Sequence, residues 1–434
     1  MLVSKRVLAF SALAAAVVTV VGTPVRAQSP IPLDQARARF AEAKRLCEAD
    51  AAHLWGVSLC GPIMFVDPAS RTFVASARDS QGLAREQDGV FVGTLPGDQN
   101  VANTAFTWAG VRWTQIMWPL PASAEDGAVL MAHELFHRVQ SELGFKSGNP
   151  ENQHLDTVEG RTLLQLEWRA LAAALVAKDA GPRRRAIADA LAFRGARRAL
   201  VASAAAEEHD LELFEGLAEY TGMTVAIPAR AGRVAYALRG IERMKDVPTF
   251  VRSFAYASGP AYGLLLDATA APWRERTRHG EDLGALLAAA EKIQAPADDA
   301  GSLAARAGRY DGPRLRAGEQ ARADRKQAVI DEYRRRLVDG PTLRIALRHM
   351  NLQFDPRNQQ PLGEAGTVYP TMRIADDWGI LTVTGGALLA SDWMSVTVAA
   401  PKDGAASGAG WTLELKSGWK IAAGARPGSF VLMQ

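Results

Sequence analysis

Only two cysteines, Cys47 and Cys60, occur in 434 residues. That excludes a disulfide-dense scaffold and any metal site that needs two pairs of thiolates. An excess of charge is also lacking: 50 Lys and Arg stand against 47 Asp and Glu, a net +3. So balanced a chain carries no electrostatic footprint for nucleic acid, and no such partner is expected. There is no internal repeat; Ala- and Arg-rich runs such as residues 196–208 are compositional bias. Beyond the N-terminus, no stretch is apolar and long enough to span a bilayer.

The N-terminus has the one long apolar run. Lys5 and Arg6 precede it, it extends from Val7 to Val21, and Val25-Arg26-Ala27 follows. This is the pattern of a secretory signal peptide cut after Ala27. A retained anchor is the alternative, but the run is short for a span. The expected location is therefore periplasmic or secreted, with no stable membrane insertion after cleavage. In an oxidising compartment Cys47 and Cys60 are expected to pair, closing a short loop worth roughly 3 kcal/mol in the chain-entropy view. Two independent buried thiols are the alternative.

With 48% hydrophobic and 22% charged residues, the chain can bury a large core in two or three domains. Residues 32–55 read as a helix with Leu33, Phe40, Ala43, Cys47 and Leu54 along one stripe. Strand-like runs follow at 63–67, 72–76, 89–96 and 104–121, separated by Gly, Pro, Asp and Asn turns. Helices are expected from about Ser123 to Asp126 onward and at 157–178, 183–206, 211–226, 259–270, 281–292 and 315–337. Short strands resume after Gly340. The expected fold class is α+β. Residues 1–27 form the signal peptide, 28–122 a helix and a β-rich part, 123–340 a helical catalytic region, and 341–434 a small all-β domain.

Within the helix expected after Ser123 stands His133-Glu134-Leu135-Phe136-His137. Residues four apart share a helix face, so the two imidazoles can grip one Zn²⁺. Glu134 can reach a water on the metal and act as general base. A solvated Glu between packed histidines is the plain alternative. A catalytic zinc needs a third protein ligand and an open position. Downstream, Glu215 and Glu219 are again four apart. One of them can complete the ligand set while the other receives an imidazole N–H. Glu159 and Glu167 lie nearer in sequence and are alternative third ligands.

At this point the chain resembles the gluzincin metallopeptidases, the superfamily of thermolysin and aminopeptidase N. Phe214-Glu215-Gly216-Leu217-Ala218 is similar to their Asn-Glu-Gly-x-Ala stretch, with Phe in place of Asn. Tyr256-Ala257-Ser258-Gly259 matches the Tyr and Gly of their Tyr-Glu-Lys-Gly. The resemblance implies a zincin-like region of mixed sheet and active-site helices, carrying a helical insertion. It implies Glu215 as third ligand, Glu219 as the carboxylate behind a ligand, and Tyr256 as oxyanion stabiliser, with Tyr262 as substitute. Ordinary core packing is the alternative for either tyrosine. The glycine-rich exopeptidase motif of the aminopeptidases is absent, so their specificity does not carry over. In zincins an edge strand holds an extended substrate; whether the strand before the His helix is that edge is open. Its Trp113 and Trp118 read as packing residues.

The function expected from these readings is an exported zinc-dependent metallopeptidase acting on peptide or protein substrates. The alternative is a zincin-shaped, non-catalytic binding protein whose C-terminal β domain supplies recognition. His53, His154, His279 and His349 read as surface or capping residues. His209 reads as structural, and Arg138 and Arg169 as solvated unless they bind a substrate carboxylate.

Overall fold

The strand-like runs between residues 63 and 117 form one sheet in the computed structural model, which describes residues 30–146, 148, 150–294, 300–354 and 359–434. The expected signal peptide lies outside the described residues. Along the chain the helices are α1 (Leu33–Asp50), α2 (Ala124–Gln140), α3 (Val158–Val176), α4 (Ala180–Arg198), α5 (Ala204–Leu211), α6 (Leu217–Ala226), α7 (Arg230–Arg243), α8 (Phe254–Leu266), α9 (Trp273–Arg278), α10 (Leu283–Ala290), α11 (Ala300–Gly308) and α12 (Gly312–Arg334). The chain divides into two units, both discontinuous in sequence. Of the described residues, the first comprises those up to Pro150, Glu208–Lys245 and Phe254–Lys292; the second comprises Glu151–Glu207, Asp246–Ser253 and those from Ile293 to Gln434.

In the first unit the strands are β1 (Ile63–Val66), β2 (Thr72–Ala75), β3 (Arg85–Gln87), β4 (Val90–Thr94), β5 (Thr104–Trp108) and β6 (Val111–Met117), arranged β3-β4-β2-β1-β6-β5. Only β1 and β6 pair in parallel; the other pairings are antiparallel. All four residues of β1 are buried, so both faces of the sheet are covered. Met64, Val66, Phe73, Ala75, Leu95 and Trp113 form a core on one face. On the other, Phe40 of α1 stacks on Phe65 at 4.7 Å between ring centroids. Cys47 and Cys60 form a disulfide, which ties the end of α1 to the entry of β1. The strand before α2 is an inner one, and the edges are β5 beside it and β3 at the far side. Trp113 is fully buried and Trp118 packs on Phe65, as packing residues should.

Helix α2 starts where expected. The Ser123 side chain accepts a hydrogen bond from Asp126 N, and Glu125 and Asp126 sit in the first turn, where the helix dipole favours them. Other boundaries differ. The helix expected from Gly259 begins at Phe254 and runs through Pro260, so a proline that reads as a starting signal lies in the interior. Helix α7 was not expected, although Val234, Ala237, Leu238 and Ile241 have the i, i+3, i+4, i+7 spacing of a helical stripe.

In the second unit, α3 and α4 pack side by side, and α11 and α12 complete the helical part. The strands after Gly340 form two sheets, one of seven strands and one of five among the described residues. Their core includes Leu343, Ile345, Ile374, Trp378, Leu381, Val396 and Val398. The observed class is α+β. No helix among the described residues is long and apolar enough to cross a membrane.

Candidate metal centre

His133 and His137 project from one face of α2, and both are buried. Helix α6 lies against that face because Gly222 permits it: a Cβ there would meet Val129 O at 2.5 Å. The approach brings Glu219 to His133, with Glu219 Oε2 2.9 Å from His133 Nδ1. Glu215 lies one turn earlier, in a π-helical turn over Glu212–Gly216 that joins α5 to α6. Such turns insert one extra residue and re-aim the side chains around it.

The result is a triangle of ligand atoms. His133 Nε2 and His137 Nε2 are 3.0 Å apart, and Glu215 Oε2 lies 3.5 Å from the first and 3.4 Å from the second. Tetrahedral coordination at zinc–nitrogen distances of 2.0–2.1 Å puts ligand atoms about 3.3 Å apart, close to these three separations. The tautomers suit a metal as well. The carboxylate on His133 Nδ1 requires a proton there, which leaves a lone pair on Nε2. His137 Nδ1 lies 2.6 Å from Gln140 Oε1, with the same consequence. Two nitrogen lone pairs and a carboxylate oxygen therefore converge, and His133, His137 and Glu215 can hold a metal ion.

The electrostatics point the same way. Burial pulls the His133 imidazole down, but hydrogen bonds to Glu215 and Glu219 outweigh it and push its pKa up to about 10. Burial pushes the Glu215 carboxyl up, yet the two imidazoles hold it far below the ordinary range. The cluster attracts positive charge, and protons compete with a metal for the same lone pairs. Glu134 differs. Burial raises its pKa against the opposing pull of His133 and His137, and the charges of Glu215 and Glu219 raise it further. Its Oε2 is buried and makes no hydrogen bond among the described residues. A buried carboxylate oxygen with no donor is costly unless a further group meets it.

Tyr256 reaches the centre from α8. Its hydroxyl donates to Glu215 Oε2 at 2.7 Å, and its ring lies parallel to that of His133 at 5.6 Å. Burial, reinforced by the Glu215 charge, raises its pKa, so the hydroxyl keeps its proton. Gly259 makes this approach possible, since a Cβ there would lie 2.2 Å from Gly216 O. Tyr262 is fully buried. Tyr236, on the unexpected helix α7, donates to Glu219 Oε1 at 2.6 Å. Phe214, at the Asn position of the resembled motif, lays its ring 4.7 Å from that of His137.

The alternative ligands are committed elsewhere. Glu159 pairs with Arg316, and Glu167 with Arg194 and Arg197. His209 faces Asp282 at 3.7 Å. Arg138 donates to Cys60 O at 2.7 Å, and Arg169 to Tyr310 O at 2.7 Å. His154, read from the sequence as a surface or capping residue, is buried, because the turn at Gln153–Asp156 folds inward with Leu155. Gln140 and Tyr236 were missed by sequence reasoning. Gln140 follows His137 by three positions on the same helix face, which is a usable signal; Tyr236 has none beyond the periodicity of α7.

Compared with models of protein families, with curated proteins and with solved structures, the chain matches none.

Proposed function

We propose that the protein is an exported zinc-dependent peptidase of gluzincin type, with His133, His137 and Glu215 as ligands. The single observation carrying this reading is the convergence of those three ligand atoms beside the unpartnered, buried Oε2 of Glu134. A structural site surrounds its metal with four protein ligands, whereas a catalytic site has three and an open position. Two imidazoles and one carboxylate suit zinc among the common metals. When bound, zinc would act as a Lewis acid and lower the pKa of water towards about 7.

The remaining work falls to side chains of this chain. Glu134 accepts a proton from the attacking water on its carboxylate and delivers it to the leaving nitrogen. The burial that raises its pKa makes it a stronger base than an exposed carboxylate. Tyr256, held in its protonated form, has a single O–H to give; turning it from Glu215 Oε2, it would donate to the oxygen that becomes negative as the carbonyl is attacked. Glu219 orients His133, and Tyr236 orients Glu219. The edge position of β5, in a sheet whose β5 and β6 pack on α2, supports an extended peptide as substrate. The Cys47–Cys60 disulfide supports an oxidising compartment.

The test is Glu134→Gln. It should keep wild-type zinc content and lose about 10²–10⁴-fold in turnover on a mixed peptide library read by mass spectrometry. Unchanged turnover at equal zinc would remove Glu134 from the role of base.

A further inference from the structure

Gln140 is 1% exposed, at the last turn of α2. Its amide faces three groups. Nε2 lies 2.7 Å from Phe214 O and 3.3 Å from Leu213 O, and Oε1 lies 2.6 Å from His137 Nδ1. The two carbonyls are acceptors only, so the NH₂ end must face them. That fixes Oε1 on His137 and requires the proton of His137 to sit on Nδ1. The same two carbonyls belong to the residues immediately before Glu215 in the π-helical turn. One neutral side chain thus touches the second histidine and the backbone that carries the carboxylate.

We infer that Gln140 is a positioning residue of the metal centre: it locks His137 in the Nδ1-protonated tautomer and ties the Glu215 turn to α2 through the same amide. This rests on the metal-centre reading above. The arrangement also makes the two histidines unequal. A carboxylate stands behind His133, which strengthens it as a donor, and a neutral amide stands behind His137. Neither role is interchangeable with simple filling of space. A leucine of similar size supplies no acceptor and no donor. A glutamate supplies the acceptor but leaves two buried carbonyls facing a negative charge.

The experiment compares full-length mature wild type, Gln140→Leu and Gln140→Glu. Zinc affinity is measured by chelator competition, and the His137 side chain by ¹⁵N NMR. Gln140→Leu should bind zinc about 10–100-fold more weakly and lose the slowly exchanging His137 Nδ1–H resonance. Gln140→Glu should keep that resonance and fall between wild type and the leucine variant in affinity. Folded Gln140→Leu with zinc affinity within twofold of wild type would overturn the inference. If Gln140→Leu does not fold, Gln140→Glu decides: affinity equal to wild type or tighter overturns the clamp on the Glu215 turn. If the wild type itself takes up no zinc, the proposed function fails. Gln140 is then judged on the metal-free resonance alone: its loss in Gln140→Leu supports the assignment and its persistence overturns it.

Discussion

Glu167 and Glu215 are both buried carboxylates on helical turns, yet they are neutralised in different ways. In the second unit, Glu167 is fully buried against Arg194 and the fully buried Arg197. Asp189, equally buried, receives Arg306, Arg309 and the Tyr310 hydroxyl. Glu319 meets Arg161 and Arg322. Permanent cations answer each acid. In the first unit, Glu215 faces two imidazoles and a tyrosine hydroxyl, and Glu219 faces an imidazole and another tyrosine. The tyrosines are neutral, and the imidazole protons facing Glu215 are ones that a metal would displace to reach the nitrogen lone pairs. The difference teaches that burial of an acid is no sign of function by itself; the identity of its partners is. Arginine closes a charge network, whereas imidazole lone pairs leave it open to a cation.

The largest effect that would break this comparison is in the second unit. Glu167→Ala leaves two buried guanidinium groups without their shared carboxylate, and should cost about 3–5 kcal/mol in thermal or denaturant unfolding. Zinc per folded chain should stay at the wild-type level. An unfolding midpoint unchanged from wild type would show that these arginines find other partners. Next comes Gly259→Ala. The added methyl meets Gly216 O, so α8 must shift away from the Glu215 turn. A loss of about 1–3 kcal/mol is expected, together with reduced turnover at unchanged zinc content as Tyr256 is drawn back. A variant as stable and active as wild type would show that α8 has slack at this contact.

The smallest effect concerns Asp376 in the C-terminal strands. Burial pushes its carboxyl up, but the N–H groups of Arg348, Asp377 and His349 outweigh that and hold it below the ordinary range. A depressed folded pKa contributes stability above the unfolded value of about 3.9 and loses it as pH falls through the folded value. Asp376→Asn should therefore cost about 1 kcal/mol at pH 7, and the gap from wild type should shrink in acid. A gap independent of pH would show that shape, not charge, is what the turn requires.

Much of the site was legible because its chemistry is local. His133, Glu134 and His137 fall within one helical turn, and Glu215 and Glu219 within another, so spacing alone gives their shared faces. The choice of Glu215 over Glu159 and Glu167 rested on its paired Glu219 four residues on and on the resemblance of its Glu-Gly-x-Ala context. The structure supplies a separate reason, since both alternatives are held by arginines distant in sequence. The spacing of Gln140 from His137 was a signal left unread, whereas its hold on the Glu212–Gly216 turn and the contact of Tyr236 with Glu219 depend on partners brought in by packing. The start of α8 was misplaced because Pro260 is a start signal by local rule, and packing of the fully buried Phe254 and Leu264 overrides it. The grouping of α3 and α4 with the C-terminal strands was equally hidden. Composition marks where a chain changes character, not which segments pack together.

The most direct test of the central claim is zinc content. Protein spanning residues 28–434, purified without a His-tag, would be analysed for metal beside Glu215→Ala, Glu159→Ala and Glu167→Ala. The account predicts close to one zinc per chain in the wild type and in the Glu159 and Glu167 variants, and loss of zinc in the Glu215 variant alone. Zinc lost with Glu159 or Glu167, or no zinc in the wild type after reconstitution, would contradict it.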